Sequence, residues 1–199
     1  FQTLDQSPFH FIGALVPTQH EDLLKIPLAQ FQTLSGERFA GCRAYRTRKG
    51  VFGHQRTVVV TYNEHLLDGQ LQGINASLQK ARRKLDELQT SLRRRQAGRV
   101  KGGQSPTVQT VSRRVDTILS GQFLKSLLRC EVVGGAVPTL TYRTDTAAFS
   151  RLVRTHLGKT ILFTDNDTWT NEEIVAGYRA QNHIESAFRD MKNPHFLGW

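Results

Sequence analysis

Five polar residues near the C-terminus have the types and spacing of a site that handles phosphate esters. Tyr178, Glu185 and Lys192 follow one another at intervals of seven residues. Positions seven apart drift by only about 20° around a helix, so these three residues form one polar stripe. Gln181 lies beside the stripe and Arg189 flanks it. The carboxylate would hold a divalent cation, and the lysine and arginine would bind phosphates. The same spacing is also typical of an ordinary solvated helix face.

One long helix over residues 170–192 is predicted to carry this stripe. Thr170 and Glu173 have the spacing of a capping box, in which each side chain satisfies an amide donor of the first turn. Pro194 fits a helix that stops after Lys192. An apolar strip on the neighbouring face is expected to pack against a core and comprises Ala180, Ile184, Ala187, Phe188 and Met191.

The composition of the chain narrows the kinds of partner and cellular compartment that fit it. Its 199 residues include 27 Lys and Arg against 17 Asp and Glu, a formal net charge of +10. Such a basic chain favours a polyanionic partner, with nucleic acid as the first candidate. Cys42 and Cys130 have no metal-ligand spacing and fit a reducing compartment rather than a disulfide framework. No apolar run approaches the roughly 20 residues that span a bilayer.

A second long helix is predicted over residues 64–96 from an apolar heptad seam. Its members are spaced alternately by four and three: Leu67, Leu71, Ile74, Leu78, Ala81, Leu85, Leu88 and Leu92. A shorter stripe of the same spacing follows at Val108, Val111, Val115 and Ile118. We expect the two to form an antiparallel helical hairpin over residues 64–120. The alternative is a coiled-coil dimer of two chains.

The tip of this helical hairpin is strongly basic. Residues 80–101 contain nine Lys and Arg but only two acids. Runs of charge are often only solvated faces, yet this excess would attract phosphates in a salt-sensitive, sequence-independent way. The predicted DNA contacts here are Arg93, Arg94, Arg95, Arg99 and Lys101.

The remaining segments favour β-strands. Residues 9–16 and 159–164 read as short buried strands, and residues 130–135 and 139–143 read as a strand pair around Gly134-Gly135. Residues 37–62 read as a basic β-hairpin with its turn at Lys49-Gly50. Its arginines fit either a phosphate-binding surface or a charged, protected sheet edge. Asp165 and Asp167 follow a strand, where acidic residues usually serve turns and helix caps rather than metals.

The C-terminal stripe resembles a known family signature. The order Tyr, two residues, Arg, three residues, Glu, six residues, Lys marks one branch of the DDE-type insertion-sequence transposases of bacteria. Tyr178, Glu185 and Lys192 match this order, whereas Gln181 stands where the family has arginine. The surrounding segment, IESAFRDMKNP, is also similar to this family.

The resemblance implies an α+β architecture that is part of a ribonuclease H-like core, with a mixed sheet flanked by helices. Residues 1–36 and 144–199 would belong to the core, which the glutamate helix 170–192 completes. Residues 37–143 would be an insertion domain containing the β-hairpin, the helical hairpin and the return strands. The first two aspartates of the catalytic triad would then lie upstream of residue 1.

The resemblance also implies a chemistry. DDE enzymes hydrolyse a phosphodiester and join the freed 3′-hydroxyl to target DNA, with three carboxylates holding two Mg²⁺ or Mn²⁺ ions. Glu185 would be the third carboxylate, and Tyr178, Gln181, Arg189 and Lys192 would contact DNA. A single carboxylate cannot hold both ions, so this chain by itself is expected to be inactive.

The expected partner is double-stranded DNA, bound by a homodimer in the bacterial cytoplasm at the nucleoid, with no membrane contact. Two other interpretations remain open from the sequence. One is a basic helical-hairpin module that binds nucleic acid without catalysis, and the other is a ribonuclease H-like nuclease without strand transfer.

Overall fold

The structure is a computed structural model that describes residues 8–100 and 102–191, with side chains described as far as residue 181. The elements, in chain order, are β1 (Ile12–Leu15), α1 (Glu21–Leu24), β2 (Gln32–Thr33), β3 (Cys42–Val51), β4 (His54–Asn63), α2 (Glu64–Gln96), α3 (Val108–Ile118), α4 (Leu124–Leu127), β5 (Leu128–Val133), β6 (Thr139–Thr144), α5 (Thr146–Thr155), β7 (Lys159–Thr164) and α6 (Asn171–Met191). This is an α+β protein, as predicted. None of the helices within the described ranges is long and apolar enough to cross a bilayer.

The chain divides into two compact units. The first comprises residues 1–67 and 155–199, and the second comprises residues 68–154. The bounds of several elements match the sequence-based predictions, notably α2 and β7, because their apolar periodicity ends abruptly at capping or turn residues.

A five-stranded sheet in the order β1-β7-β4-β3-β2 organises the first unit. Every neighbouring pair is antiparallel. The central strand β4 contains three consecutive valines, Val58 to Val60, which are fully buried because both faces of the sheet are covered. On one face, Val58 and Val60 pack with residues of α1, including Leu24. On the other face, Val59 packs with residues of α6.

The β3–β4 hairpin differs from its prediction in the position of the turn. The reversal lies at Phe52-Gly53, where Val51 pairs with His54, and not at Lys49-Gly50. Both turn residues have positive φ, 51° and 85°. That is the type I′ geometry, whose twist matches that of the flanking strands. Gly50 instead lies within β3, opposite Gln55.

The sheet also groups the segments differently from the predicted domains. The hairpin was expected to belong to an insertion over 37–143, but β3 and β4 share one sheet with β1 and β7. The valine run explains this arrangement, since an apolar strand without alternation needs cover on both faces. The described strands also form an antiparallel sheet, whereas the family resemblance implied a mixed one.

The second unit is built on the apolar seam of α2. Leu78 and Leu85 are 5% and 0% exposed, so the seam is covered within one chain. At 1.5 Å per residue, α2 is about 50 Å long and α3 only about 16 Å, so α3 alone is too short to cover it. The antiparallel β5–β6 ribbon also covers α2, because the side chain of Gln89 donates to the Leu140 carbonyl at 2.9 Å.

Candidate functional site

Helix α6 starts as the sequence predicts and is anchored on the sheet at once. The Thr170 amide donates to Glu173 Oε2 at 2.7 Å, and the Glu173 amide donates to Thr170 Oγ1 at 3.2 Å. The hydrogen bond from the Thr170 amide also lowers the pKa of Glu173. Ile174 and Val175 are buried against the sheet in the next turn. These contacts fix the rotation of the helix about its axis.

In this half of the helix the polar stripe lies at the edge of the sheet, with Tyr178 half-buried and Gln181 exposed. Tyr178 is half-buried and packs against the core beneath α6. Gln181 donates from Nε2 to the Ile12 carbonyl of β1 at 3.3 Å. Ala180, predicted to face a core, is exposed. The predicted apolar strip is therefore wrong at Ala180, which lies about 120° from Ile174 and about 140° from Val175 around the helix. The side chains of the other strip members, Ile184, Ala187, Phe188 and Met191, lie outside the described residues.

The place of residue 185 along the helix relates its backbone position to that of Ile174. Residue 185 is eleven positions after Ile174 in the continuous helix, so it falls about 20° from Ile174 around the axis. The side chains of Glu185 and Arg189, and all of Lys192, lie outside the described residues. By the regular geometry of an α-helix, the Cα of residue 185 lies on the side of the axis that carries the Cα atoms of Ile174, Tyr178 and Gln181.

A cleft of about 300 Å³ opens beside Tyr178, between α6 and the sheet. Arg179, also in its wall, donates to the Arg38 carbonyl at 2.8 Å and to the Cys42 sulfur at 2.9 Å. Arg179 is therefore committed to the loop before β3. It does not replace the arginine that the family has at the position of Gln181. Both cysteines of the chain are free thiols.

The two aspartates after β7 serve a turn, as expected. Asp165 accepts hydrogen bonds from the Phe11 amide at 3.0 Å and from His10 at 3.1 Å. Asp167 accepts from Thr57 at 2.6 Å and pairs with Arg48 at 2.7 Å. Both carboxylates are therefore already engaged by neighbouring donors.

Their pKa values follow from these contacts. Burial raises the pKa of Asp165, but the hydrogen bonds from the Phe11 amide and His10 outweigh it and leave the pKa below its usual value. The hydrogen bond from Thr57, supported by the charge of Arg48, lowers the pKa of Asp167. Both groups are carboxylates at neutral pH.

Four of the basic residues of the β-hairpin, Arg46, Arg48, Lys49 and Arg56, make contacts within the first unit. Arg46 donates to the carbonyls of Trp169 and Asp167 at 2.6 Å and 2.8 Å. Lys49 pairs with Asp22 at 2.6 Å, and buried Arg56 lies over the Phe11 ring. These cations hold loops onto the sheet, an arrangement that neither interpretation of the hairpin anticipated. Sequence spacing gave no signal for it, because the partners are more than 100 residues away in the case of Arg46 and Arg48.

The predicted DNA-binding arginines at the end of α2 do not share one face. Consecutive residues are about 100° apart on a helix, so Arg93, Arg94 and Arg95 radiate in three directions. Arg93, Arg94 and Arg99 are exposed, whereas Arg95 is half-buried. Lys101 lies outside the described residues. Arg82, further back along α2, is bound to Thr144 of β6 at 2.6 Å.

Sequence reasoning missed three residues that lie beside Arg95. Ser91, Gln104 and Arg114 line the same groove as Arg95. Arg114 could have been found from its position three residues after Val111, which places it next to the buried stripe of α3.

A metal site is not assembled by the described residues. Within residues 8–100 and 102–181, no group of three or more His, Cys, Asp and Glu side chains could hold an ion. The expected ligand Glu185 lies beyond that range. The described residues therefore do not fit a divalent cation by themselves.

Comparisons with protein-family models, curated proteins and solved structures found no match to this chain.

Proposed function

We propose that the chain is part of a DDE-type DNA transposase with a ribonuclease H-like core, in which α6 supplies the third catalytic carboxylate, Glu185. The observation that carries the proposal is the rotation of α6. Ile174, Tyr178 and Gln181 turn one side of the helix to the sheet, and residue 185 falls on that side.

The described residues have a positioning role in this proposal. Ile174 and Val175 lock the helix rotation, and the capping box fixes its start. Gln181 ties the helix to β1 one turn before Glu185, so the carboxylate would be held at a fixed distance from that strand. Catalysis by metal-bound carboxylates depends on such preorganised ligands.

The other components of the proposed site are two metal ions, two further carboxylates and the side chains that bind DNA. Two Mg²⁺ or Mn²⁺ ions, when bound by Glu185 and two aspartates upstream of Phe1, would polarise the scissile phosphate. Arg189 and Lys192 would bind the DNA backbone near the cut. Tyr178 and Gln181 would contribute DNA contacts only from the parts of their side chains that do not face the sheet. The protein would act as a homodimer on its DNA, at the bacterial nucleoid.

The test uses the full-length parent protein and a cleavage assay on transposon-end DNA with Mg²⁺ or Mn²⁺. Glu185→Gln removes a ligand whose effect is worth several kcal/mol in the transition state, so we expect cleavage to fall by more than about 100-fold. Circular dichroism and DNA affinity should be unchanged. Residues 1–199 alone should not cleave DNA.

The matched control is Glu172→Gln. It makes the same change on the opposite side of α6, where the Glu172 carboxylate accepts from the Ser35 amide at 2.9 Å. A glutamine oxygen can still accept that hydrogen bond, so activity should persist. Full cleavage by Glu185→Gln would withdraw the catalytic assignment.

A second candidate is a nucleic-acid-binding module without catalysis. The exposed arginines at the end of α2 favour it, together with the net charge of +10. It predicts salt-sensitive DNA binding by residues 1–199 and no cleavage by the parent under any metal condition.

A further inference from the structure

A groove in the second unit combines an apolar floor with cationic walls. It has a volume of about 270 Å³ and lies where the last turns of α2 meet the first turns of α3. Leu88, Leu92 and Val111 form the floor and are themselves buried. Arg95 of α2 and Arg114 of α3 stand in its walls. Two helices therefore each contribute one guanidinium to a single concave surface.

Neutral donors complete the polar part of the groove. The hydroxyl of Ser91 and the side-chain amide of Gln104 also line it. Thr110 lies there too, but its hydroxyl already belongs to the capping box with Thr107. Guanidinium forks, hydroxyls and amides are the groups that proteins use to bind phosphate oxygens.

The described residues that line the groove include no acid. The acids nearest in sequence are bound elsewhere: Asp86 accepts from Tyr142, Glu87 pairs with Arg83, and Asp116 pairs with Lys125. The positive charge of the two arginines is therefore not neutralised within the groove by a carboxylate of its own lining. An anion entering it meets a complementary surface.

Arg95 is also restricted by the loop that follows α2. It is half-buried, and its guanidinium lies 3.2 Å from where a Cβ would stand on Gly103. The loop that joins α2 to α3 thus passes directly over this side chain. A side chain that is already restricted loses less conformational entropy on binding than a fully exposed arginine does.

We infer that this groove binds the phosphodiester backbone of double-stranded DNA, with Arg95 and Arg114 each contacting a phosphate. The inference rests on the proposed function, because that function supplies DNA as the partner. It adds the residues that would bind the DNA backbone. An extended polyanion fits better than a small anion, because the two arginines come from two different helices and can each take a separate phosphate of one backbone. The contacts would be independent of base sequence.

The experiment measures binding of a fluorescent DNA duplex to residues 1–199 over a series of salt concentrations. Each lost phosphate contact lowers the slope of log affinity against log salt by about 0.9. We expect the double variant Arg95→Ala/Arg114→Ala to lower the slope by about 1.8 and each single variant by about half that. Arg114→Lys should retain the slope but weaken binding, because lysine keeps the charge and loses the planar fork.

Arg113→Ala is the matched control. Arg113 is exposed on the same helix and loses the same charge, but it lies about 100° from Arg114 and outside the groove. The slope of log affinity against log salt for Arg113→Ala should match that of the unmodified chain. Equal losses in Arg113→Ala and Arg114→Ala would mean that binding follows diffuse charge, and the inference would be overturned.

Two further outcomes separate this inference from the function on which it rests. Salt-dependent binding that the double variant leaves unchanged would overturn the groove but keep the DNA partner. No binding of duplex DNA by the unmodified chain would overturn both. Equal competition by polyglutamate and by DNA would assign the groove to acidic protein segments and reject the nucleic-acid partner. Unchanged circular dichroism of the variants is required, so that loss of binding reports on the groove.

Discussion

At the scale of single residues, the chemical type of a side chain in this protein does not determine its role. Asp165 and Asp167 have the character of metal ligands, yet both accept hydrogen bonds that hold a turn. Arg46 and Arg48 have the character of phosphate ligands, yet they bind that same turn. In both cases, the partner that decides the role is distant in sequence and near in space.

Tyr142 offers a prediction at this scale. The Tyr142 hydroxyl donates a hydrogen bond to Asp86 Oδ1 at 2.6 Å. Burial and this hydrogen bond raise the pKa of Tyr142 to about 12. Asp86→Asn removes the charge that opposes ionisation, so the pKa should fall towards the usual value near 10, though not fully because burial remains. Tyrosinate absorbance during a pH titration measures it. Tyr142→Phe identifies the signal among the four tyrosines.

The sign of the stability effect follows from the direction of this shift. The folded-state pKa lies above the unfolded one, so the contribution of Tyr142 is complete below about pH 10 and is lost as pH rises through about 12. Asp86→Asn should make the stability less dependent on pH in that window. An unchanged titration in Asp86→Asn would contradict the role of the hydrogen bond.

Elements in this chain were predictable where their signals are local. The heptad spacing gave both bounds of α2, and Thr170 with Glu173 gave the start of α6. The turn of the β3–β4 hairpin was placed wrongly, because a phenylalanine with positive φ is uncommon and Lys49-Gly50 looked more favourable. The prediction that α6 buries Ala180 was also wrong, since the buried face of a helix depends on what the sheet presents to it.

Gly158 gives a prediction at the scale of elements, because it joins α5 to β7. Its φ is +73°, and an added Cβ would lie 2.9 Å from the Tyr62 ring and 3.2 Å from the Asn63 carbonyl. Gly158→Ala should therefore lower the free energy of unfolding by about 1–3 kcal/mol. Chemical denaturation measures this change.

Gly73→Ala is the control for the glycine substitution. Gly73 lies within α2, and a Cβ there would meet no atom within 4 Å. Alanine favours the helical conformation more than glycine does, so the free energy of unfolding of this variant should rise by up to about 1 kcal/mol. A loss of stability in Gly73→Ala, or none in Gly158→Ala, would be inconsistent with the contacts described.

At the scale of the whole molecule, the fold depends on contacts between segments that are distant in the sequence. The α+β class could be predicted from the elements, but in the strand order β1-β7-β4-β3-β2 the β1–β7 and β7–β4 pairs join segments about 100 residues or more apart. The catalytic interpretation of Glu185 came from a spacing pattern and stays a prediction, because the side chain of Glu185 lies outside the described residues. The groove with Arg95 needed Arg114, which a different helix supplies.

The division into two units gives a prediction at this scale. Leu127 in the second unit and Ile161 in the first are both fully buried. Each change to alanine leaves a cavity that lowers stability by about 2–5 kcal/mol. Amide hydrogen exchange should then increase mainly within the unit that carries the change. Equal increases in both units for either variant would indicate that the chain unfolds as one cooperative body.

The hydrogen bond from Gln181 to Ile12 has a consequence for how the protein behaves in concentrated solution. β1 is an edge strand of the described sheet, and edge strands can recruit strands from other molecules into aggregates. The Gln181 amide occupies the backbone acceptor of Ile12, so an incoming strand must first displace it. Gln181 thus takes up one hydrogen-bond acceptor of the edge strand that an incoming strand would otherwise use.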